Sequence, residues 1–226
     1  MLSIVMPVLN EAEHISASLA RLQAWRAGEV ELIVVDGGSS DDTVRLARPL
    51  VDKLVQAQRG RALQMNAGAA AAEGDILLFL HADTKLPDEL EKALDMVRTG
   101  LASRVHEWGR FDVRIDGRSR MFMLIAALMN LRSRITGIAT GDQAIFVRRD
   151  AFDAVGGFPE QPLMEDIEMS GSLKARSKPL CLRERVVTSG RRWERYGIWR
   201  TIVLMWRLRL LYWMGMPAER LAKAYR

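Results

Sequence analysis

The sequence of 226 residues has one cysteine, three histidines and no long apolar run, and each shortage excludes a class of protein. The single cysteine, Cys181, rules out an internal disulfide and is typical of a chain in a reducing compartment. No stretch approaches the roughly 18 uninterrupted apolar residues of a membrane-spanning helix. No basic segment precedes the apolar residues after Met1, so we expect no secretory signal peptide. These shortages predict a cytoplasmic globular protein.

Charge is unevenly distributed along the chain. Residues 174–226 contain fourteen Lys or Arg against three Glu, a net charge of +11. Because the whole chain carries +5, residues 1–173 carry −6. An acidic body with a basic C-terminal region indicates a carboxylate-rich site and a surface that attracts anions. No aromatic-basic readout motif accompanies the positive charge, so we do not expect a nucleic acid partner.

Residues 1–84 alternate apolar runs with helical patterns. The predicted strands are 2–8, 31–35, 53–57 and 76–80, and the predicted helices are 11–25, one after the turn at 37–43, and 60–74. Unbroken apolar runs are typical of strands that are buried on both faces, as in a parallel sheet covered by helices. The alternation of strand and helix therefore predicts a parallel, right-handed, doubly wound sheet.

The later part of the chain is less regular. Its predicted helices are 87–99, 121–131 and 165–176, and its predicted strands are 108–115 and 141–147. Apolar and polar residues alternate in 108–115, which predicts an antiparallel strand with one face in water. The strand at 141–147 would begin with polar groups.

Carboxylates lie after two predicted strands and at the start of one predicted helix. Asp36 and Asp83 follow strands, and Glu165 and Asp166 open the helix 165–176. Ligands of open α/β sheets bind at the carboxyl ends of the strands. A divalent cation held there by Asp83 would stabilise a leaving diphosphate, and a second carboxylate would act as general base on a hydroxyl.

A purely structural interpretation of these carboxylates remains open from the residues alone. Acidic residues near the start of a helix interact favourably with its dipole, which would explain the group at 165–168. Asp83 or Thr84 would likewise cap a helix that begins near Pro87.

Six segments together carry a resemblance to a known family. They are S-I-V-M-P-V-L-N-E (3–11), V-V-D-G-G-S-S-D-D-T (34–43), R-G-R-A-L-Q-M-N-A-G (59–68), L-H-A-D-T (80–84), G-G-F-P-E (156–160) and M-E-D-I-E-M (164–169). In this order they make residues 1–175 resemble the family 2 glycosyltransferases, and most of all a compact bacterial subgroup. The resemblance implies a GT-A fold, a three-layer α/β/α sandwich with a mostly parallel central sheet. It also implies inverting transfer of a sugar from a nucleotide-diphosphate sugar to an acceptor hydroxyl, with Mg²⁺ or Mn²⁺ as cofactor.

The resemblance further implies which residues hold the donor. The residues that would line the nucleotide-sugar pocket are Pro7, Glu11, Asp36, Arg61 and Asp83. Asp83 would be the last residue of the family's D-x-D metal motif. His81 stands at the first position of that motif in this chain, and imidazole suits Mn²⁺ less well than a carboxylate does. His81 is therefore either a second metal ligand or only a polar residue at the end of a strand.

Other residues would act on the acceptor side of the site. Asp166, from the family's E-D motif, would be the catalytic base. The residues that would contact the acceptor or the diphosphate are Glu165, Asp142, Gln143, Arg192 and Trp193. The last two are all that remains here of the family's Q-x-x-R-W motif, and a basic start of a helix would explain them equally well.

The C-terminal region is predicted as a basic amphipathic helical segment, 188–226, that follows a transferase domain, 1–187. Residues 198–216 combine three tryptophans with three arginines, which is typical of a helix in a membrane interface. The alternatives are packing on its own domain or on a second subunit. A lipid-linked acceptor would favour peripheral attachment to the inner face of the membrane.

Two other functions are open at this point. One is a non-catalytic module that binds nucleotide sugars. The other is a nucleotidyltransferase on a related sheet, although P-V-L-N-E stands where such enzymes have a Gly-rich loop that bears an arginine.

Overall fold

In the computed structural model, which describes residues 1–26, 28 and 30–225, one mixed sheet is flanked by helices. Its strands are β1 (Leu2–Val8), β2 (Val30–Asp36), β3 (Lys53–Gln56), β4 (Ile76–Phe79), β5 (Thr84–Lys85), β6 (Trp108–Asp116), β7 (Phe146–Arg148) and β8 (Leu180–Ser189). The helices are α1 (Ile15–Ala20), α2 (Gln23–Arg26), α3 (Thr43–Ala47), α4 (Arg61–Ala71), α5 (Leu90–Ala102), α6 (Met121–Thr136), α7 (Arg149–Ala154), α8 (Glu165–Arg176), α9 (Arg191–Tyr196), α10 (Ile198–Trp213) and α11 (Ala218–Tyr225). This architecture confirms the predicted α/β fold.

The first four long strands form the parallel half of the sheet. The order across the sheet is β3-β2-β1-β4-β7-β6-β8-β5, and β3, β2, β1 and β4 pair in parallel. All seven residues of β2 are buried, as an unbroken apolar run predicts for a strand covered on both faces. The carboxyl ends of these strands therefore meet at one edge of the sheet.

The second half of the sheet corrects two predictions. The strand β6 pairs antiparallel with β7 but parallel with β8, and its first six residues, 108–113, are all buried. Both faces of β6 are therefore buried over these residues. Buried and exposed residues alternate only from 113 to 116. Residues Gly141–Gln143 form a 3₁₀ turn instead of opening a strand, and the strand is confined to Phe146–Arg148.

The predicted helix 11–25 was wrong at its start and is interrupted. Asn10, just before the predicted start, has a φ of +54°, and its side chain accepts the Ser40 N–H at 2.8 Å. The Glu11 N–H is bound to Thr43 Oγ1 at 2.8 Å. Because this segment is tied to the loop after β2, α1 begins only at Ile15.

A close contact between α4 and the sheet fixes the position of that helix. A Cβ atom at Gly68 would lie 2.3 Å from Val5 Cγ1 and 2.8 Å from Val35 Cγ2, so only glycine permits this approach. Gln64, one turn earlier, donates its amide to the carbonyls of Val8 and Val35, both at 2.8 Å. The start of α4 is thereby held beside the carboxyl ends of β1 and β2.

The C-terminal helices pack against the segment that leads into α8. Leu163, Met164, Leu208 and Leu221 are buried together in one cluster. The helix α8 has the predicted bounds, Glu165–Arg176. The predicted domain boundary at 187/188 falls inside β8 and stays a prediction. Within the described ranges, no helix is long and apolar enough to cross a bilayer.

Candidate active site

A cavity of about 320 Å³ opens at the carboxyl edge of the parallel strands. Its wall combines the end of β1, the start of α4 and the residues after β4. The lining includes five of the residues expected to bind the donor or a metal: Pro7, Glu11, Arg61, His81 and Asp83. A larger groove of about 820 Å³ runs along α5, but none of the predicted site residues lines it.

Asp36 lies at the end of β2, next to this cavity in the sheet but not in its lining. The side chain is buried, and its carboxylate accepts the Gly38 N–H at 3.0 Å and the Ser39 N–H at 3.1 Å. These bonds hold the loop after β2 in shape. Its predicted place in the nucleotide-sugar pocket stays a prediction.

Two acidic residues, Glu11 and Asp83, line the cavity. Burial raises the pKa of Glu11 above its ordinary value, and the negative charge of Asp83 raises it further. Arg191, at the start of α9, is close enough to oppose this effect. A site that concentrates negative charge in this way favours a bound cation.

His81 connects the cavity to the turn that follows α6. Its Nδ1 atom lies 3.8 Å from Asp142 Oδ1. A Cβ atom at Gly141 would lie 2.4 Å from His81 Cε1, so the ring packs directly on the glycine backbone. Burial raises the pKa of Asp142, but its interactions with His81 and Arg61 outweigh burial, and the pKa lies below the ordinary value.

Asp166 is oriented by the same turn. Its Oδ2 atom accepts the Gly141 N–H at 2.8 Å, and its Oδ1 atom accepts the Ile167 N–H at 2.8 Å. The neighbouring Glu165 is buried, and its pKa is raised by burial and then by the charge of Asp166. In the first turn of α8, two hydrogen bonds therefore fix the orientation of the Asp166 carboxylate, and the ionised form of Glu165 is disfavoured.

Arg61 joins the two groups of carboxylates electrostatically. Burial lowers its pKa, but Glu165, Asp142 and Asp166 more than compensate, so the pKa is raised. The guanidinium makes no hydrogen bond or close ion pair with the part of the chain that the structure describes. Its donors are free to bind an anionic ligand between the cavity and α8.

Three predicted site residues have other contacts. Arg192 donates to the Tyr225 carbonyl at 3.0 Å and stacks 3.7 Å from the centre of the Tyr225 ring. Trp193 packs against the main hydrophobic cluster. Gln143 is fully buried; its Oε1 accepts the Thr140 N–H at 3.2 Å, and its Nε2 has no partner among the described residues. The contacts of Arg192 and Trp193 fit structural roles.

Arg132 on α6 and Arg209 on α10 were not among the predicted site residues. Both bear buried N–H groups without a partner in the described chain. No short motif marks either residue, because their position depends on how α6 and α10 pack.

The cavity fits a cation that is shared with a diphosphate. No three or more His, Cys, Asp or Glu side chains of the described residues come together as a protein-only metal site. Asp83 and His81 nevertheless both line the cavity. Mg²⁺ and Mn²⁺ commonly use one or two carboxylates and take their other ligands from substrate phosphates and water. The donor set is therefore adequate once a diphosphate is bound.

The mixed sheet, with its carboxylates after the parallel strands, defines an α/β protein with the GT-A fold. The chain belongs to glycosyl transferase family 2, which it matches over residues 3–156. A PGL/p-HBAD biosynthesis glycosyltransferase of Mycobacterium bovis is 34% identical over 114 residues, 47% of this chain and 43% of that protein. The glycosyltransferase AglE of Haloferax volcanii is 28% identical over 70% of this chain and 55% of its own length. The matches thus span about half the length of these relatives.

Solved structures agree with this fold. Glucosyl-3-phosphoglycerate synthase from Mycobacterium tuberculosis, in complex with Mn²⁺, UDP and glucosyl-3-phosphoglycerate, gives a TM-score of 0.66 at 20% identity, over 96% of this chain and 81% of that one. The mannosyltransferase PcManGT from Pyrobaculum calidifontis, in complex with GDP-Man and Mn²⁺, gives a TM-score of 0.63 at 24% identity, over 82% of this chain and 56% of that one. At these identities the likeness shows the fold alone.

Proposed function

We propose that this chain transfers a sugar from a nucleotide-diphosphate sugar to an acceptor hydroxyl, with inversion at the anomeric carbon. The observation that supports the proposal most is the hydrogen bond from the Gly141 N–H to Asp166 Oδ2, because Gly141 also contacts His81, which lines the cavity together with Asp83. Membership of glycosyl transferase family 2 supports the reaction class. The structures solved with UDP or GDP-Man support the class of donor.

The donor would bind along the edge of the parallel strands. Its nucleoside would lie near Pro7, Glu11 and Asp36, and its diphosphate between Arg61 and Asp83. A Mg²⁺ or Mn²⁺ held by Asp83, with His81 as a further ligand, would supply positive charge to the departing diphosphate. Arg61 would add a fixed positive charge from the opposite side.

Asp166 would be the general base. Each of its carboxylate oxygens accepts one backbone N–H and keeps a further lone pair. The acceptor oxygen would bond to the anomeric carbon while the bond from that carbon to the diphosphate breaks, and its proton would pass to Asp166. The diphosphate would leave with the electron pair. A single displacement of this kind inverts the anomeric configuration.

We further propose that the chain contacts an anionic membrane surface and that its acceptor is lipid-linked. Two helices expose apolar residues at helical spacing: Leu124, Leu128, Leu131 and Ile135 on α6, and Trp199, Val203, Trp206, Leu210 and Trp213 on α10. The charge of +11 in residues 174–226 complements an anionic surface, whereas it would repel a second copy in a dimer through 198–216. This arrangement supports a peripheral location at the inner face of the membrane.

The membrane proposal is tested by sedimentation with vesicles. Wild type should bind vesicles that contain phosphatidylglycerol, and the double variant Trp206→Ser/Trp213→Ser should lose about tenfold in affinity, or 1.4 kcal/mol. Val105→Ser, a substitution at an exposed apolar residue elsewhere, is the control. A chain that ignores the vesicles and forms a dimer that the double substitution dissociates would contradict the proposal.

The transferase proposal is tested with Asp166→Asn. Thermal shifts with UDP, GDP and dTDP sugars, with and without Mn²⁺, identify the donor. A ligand at 100 times its dissociation constant stabilises the fold by about 2.7 kcal/mol. The variant should bind that donor as wild type does, yet release nucleoside diphosphate about 10²–10⁴-fold more slowly.

Asp153→Asn, at an exposed carboxylate of α7, is the matched control and should keep full turnover. A non-catalytic binding module would show no turnover in any variant. The proposal is wrong if no nucleotide sugar stabilises the chain or if Asp166→Asn turns over normally.

A further inference from the structure

Two arginines near Asp166 carry buried N–H groups without partners. Nε and Nη2 of Arg132 and Nε of Arg209 are shielded from solvent and donate to no acceptor in the described residues. Removing a charged donor from water without a compensating hydrogen bond destabilises the folded state. Such groups in a folded protein call for an explanation, and an absent anionic ligand is one.

The other arginines of this region show that acceptors are normally supplied. Arg134, two residues after Arg132 on α6, donates to Asp112 Oδ2 at 2.8 Å and to the Cys181 carbonyl at 3.1 Å. Arg110 pairs with the same Asp112 inside the sheet, although its Nε is also buried without a partner among the described residues. Arg110 and Arg134 therefore each have a carboxylate partner, whereas Arg132 and Arg209 have none among the described residues.

Each of these arginines lies on a packed face of its helix. Arg132 follows Ile125 and Met129 by seven and three residues, so it extends the face of α6 that packs on the core. Arg209 lies next to the buried Leu208 and one turn before Tyr212, whose hydroxyl donates to Glu168 Oε2 at 2.7 Å. Arg209 is thus on the face of α10 that meets α8.

The electrostatics agree with this placement. Burial and then the charge of Arg209 lower the pKa of Arg132 to about 10, while Asp166 opposes them. Arg209 also acts on Asp142. Neither arginine lies within 4 Å of a carboxylate in the residues described, so Asp166 neutralises the pair only from a distance. Two adjacent guanidinium groups without a close counter-ion make a site for an oxyanion.

We propose that Arg132 and Arg209 form an oxyanion subsite that binds a phosphate or carboxylate of the acceptor next to Asp166. The proposal rests on the transferase function and names its acceptor as anionic. The cavity lining includes Arg61 but neither of these arginines, so the donor diphosphate has a cation of its own. The subsite would hold the acceptor while its hydroxyl faces Asp166.

Inorganic phosphate is the probe that tests the subsite. Its binding is measured by titration calorimetry at constant ionic strength, with chloride as the reference salt. Arg132→Gln and Arg209→Gln should each weaken phosphate binding at least tenfold. Arg207→Gln, at an exposed position of the same helix, should stay within twofold of wild type. If Arg132→Gln does not fold, Arg132→Lys keeps the charge, removes the planar fork and should weaken binding about threefold to tenfold.

A second arm separates the subsite from the donor site. The titration is repeated with saturating nucleoside diphosphate and Mg²⁺, which should leave phosphate affinity within about threefold. Competition between the two ligands, binding that neither substitution weakens, or no phosphate binding by wild type would overturn the proposal. The phosphate titration without nucleotide tests the subsite even if no donor binds. Failure of the subsite can therefore be distinguished from failure of the transferase function.

Glycerol 3-phosphate and vesicles that contain phosphatidic acid then identify the source of the oxyanion. A soluble acceptor predicts binding of glycerol 3-phosphate that depends on Arg132. A lipid acceptor predicts that both arginines are needed for the extra binding to phosphatidic acid over phosphatidylcholine. Either result supports the subsite.

Discussion

The two edges of the parallel sheet differ in whether their buried charged groups have hydrogen-bond partners. At the amino edge, Glu31 accepts the Ser3 hydroxyl and the Glu73 N–H and forms an ion pair of 2.7 Å with Lys53. At the carboxyl edge, Arg132 and Arg209 keep N–H groups that no described residue accepts. Both edges belong to the same fold, yet only one of them is complete without a ligand.

This difference suggests that the charged groups of one edge stabilise the fold and those of the other bind a ligand. A charge with every partner in place contributes to the folded state, whereas a charge without partners costs stability until a ligand arrives. The amino edge therefore holds the strands in register. The carboxyl edge stores positive charge at Arg61, Arg132 and Arg209, and negative charge at Asp83 and Asp166. Substitutions at equivalent acidic residues should thus have opposite effects at the two edges.

The largest effect should come from Glu31→Gln at the amino edge. It removes the buried partner of Lys53 and should reduce the free energy of unfolding by about 1–3 kcal/mol. Glu73→Gln is the control, because Glu73 also binds Lys53 but is 70% exposed, and surface pairs contribute only about 0–1 kcal/mol. Urea titrations of both variants measure their free energies of unfolding. Equal losses of stability would contradict the expected difference between the buried and the exposed partner of Lys53.

The pH dependence of Glu31 follows from its pKa. Burial raises the pKa, but the hydrogen bonds from Glu73, Lys53 and Ser3 outweigh burial and place it below the model-peptide value of 4.5. The stabilisation is therefore full above 4.5 and is lost as the pH falls through the lower pKa of the folded state. Glu31→Gln should lack this part of the acid dependence.

Much of the scaffold was accessible from the sequence because its signals are local. The unbroken apolar runs of β1 and β2 predict buried parallel strands, and the three acidic residues at 165–168 predict the start of α8. The break between α1 and α2 was not accessible, since Asn10 and Glu11 are bound by residues about thirty positions away. Long-range contacts of this kind leave no periodic pattern.

The candidate site likewise contains residues that the sequence predicts and residues that it does not. Pro7, Glu11 and His81 belong to short motifs, so a family resemblance finds them. The N–H groups of Arg132 and Arg209 become buried only through the packing of α6 and α10. Nothing in their neighbouring residues distinguishes them from surface arginines. Burial of individual N–H groups depends on tertiary packing, so the sequence alone does not predict the pair.

The smallest effect, and the opposite sign, should come from Glu165→Gln at the carboxyl edge. Burial and the charge of Asp166 raise the pKa of Glu165, so its ionised form is disfavoured in the folded protein. Stability from Glu165 is full below the model-peptide value of 4.5 and is lost as the pH rises through its raised pKa. At pH 7 the amide avoids this loss, and the melting temperature should rise by about 1–4 °C.

Glu168→Gln, in the same first turn of α8, is the matched control. Its carboxylate accepts the Tyr212 hydroxyl and interacts favourably with the helix dipole, so its loss should leave the melting temperature unchanged or lower it slightly. Calorimetry at pH 4 and pH 7 distinguishes the two carboxylates, because the gain from Glu165→Gln should shrink at the lower pH. If Glu165→Gln instead destabilises the chain at pH 7, the carboxyl edge is as complete as the amino edge, and the unpaired charges there need no ligand.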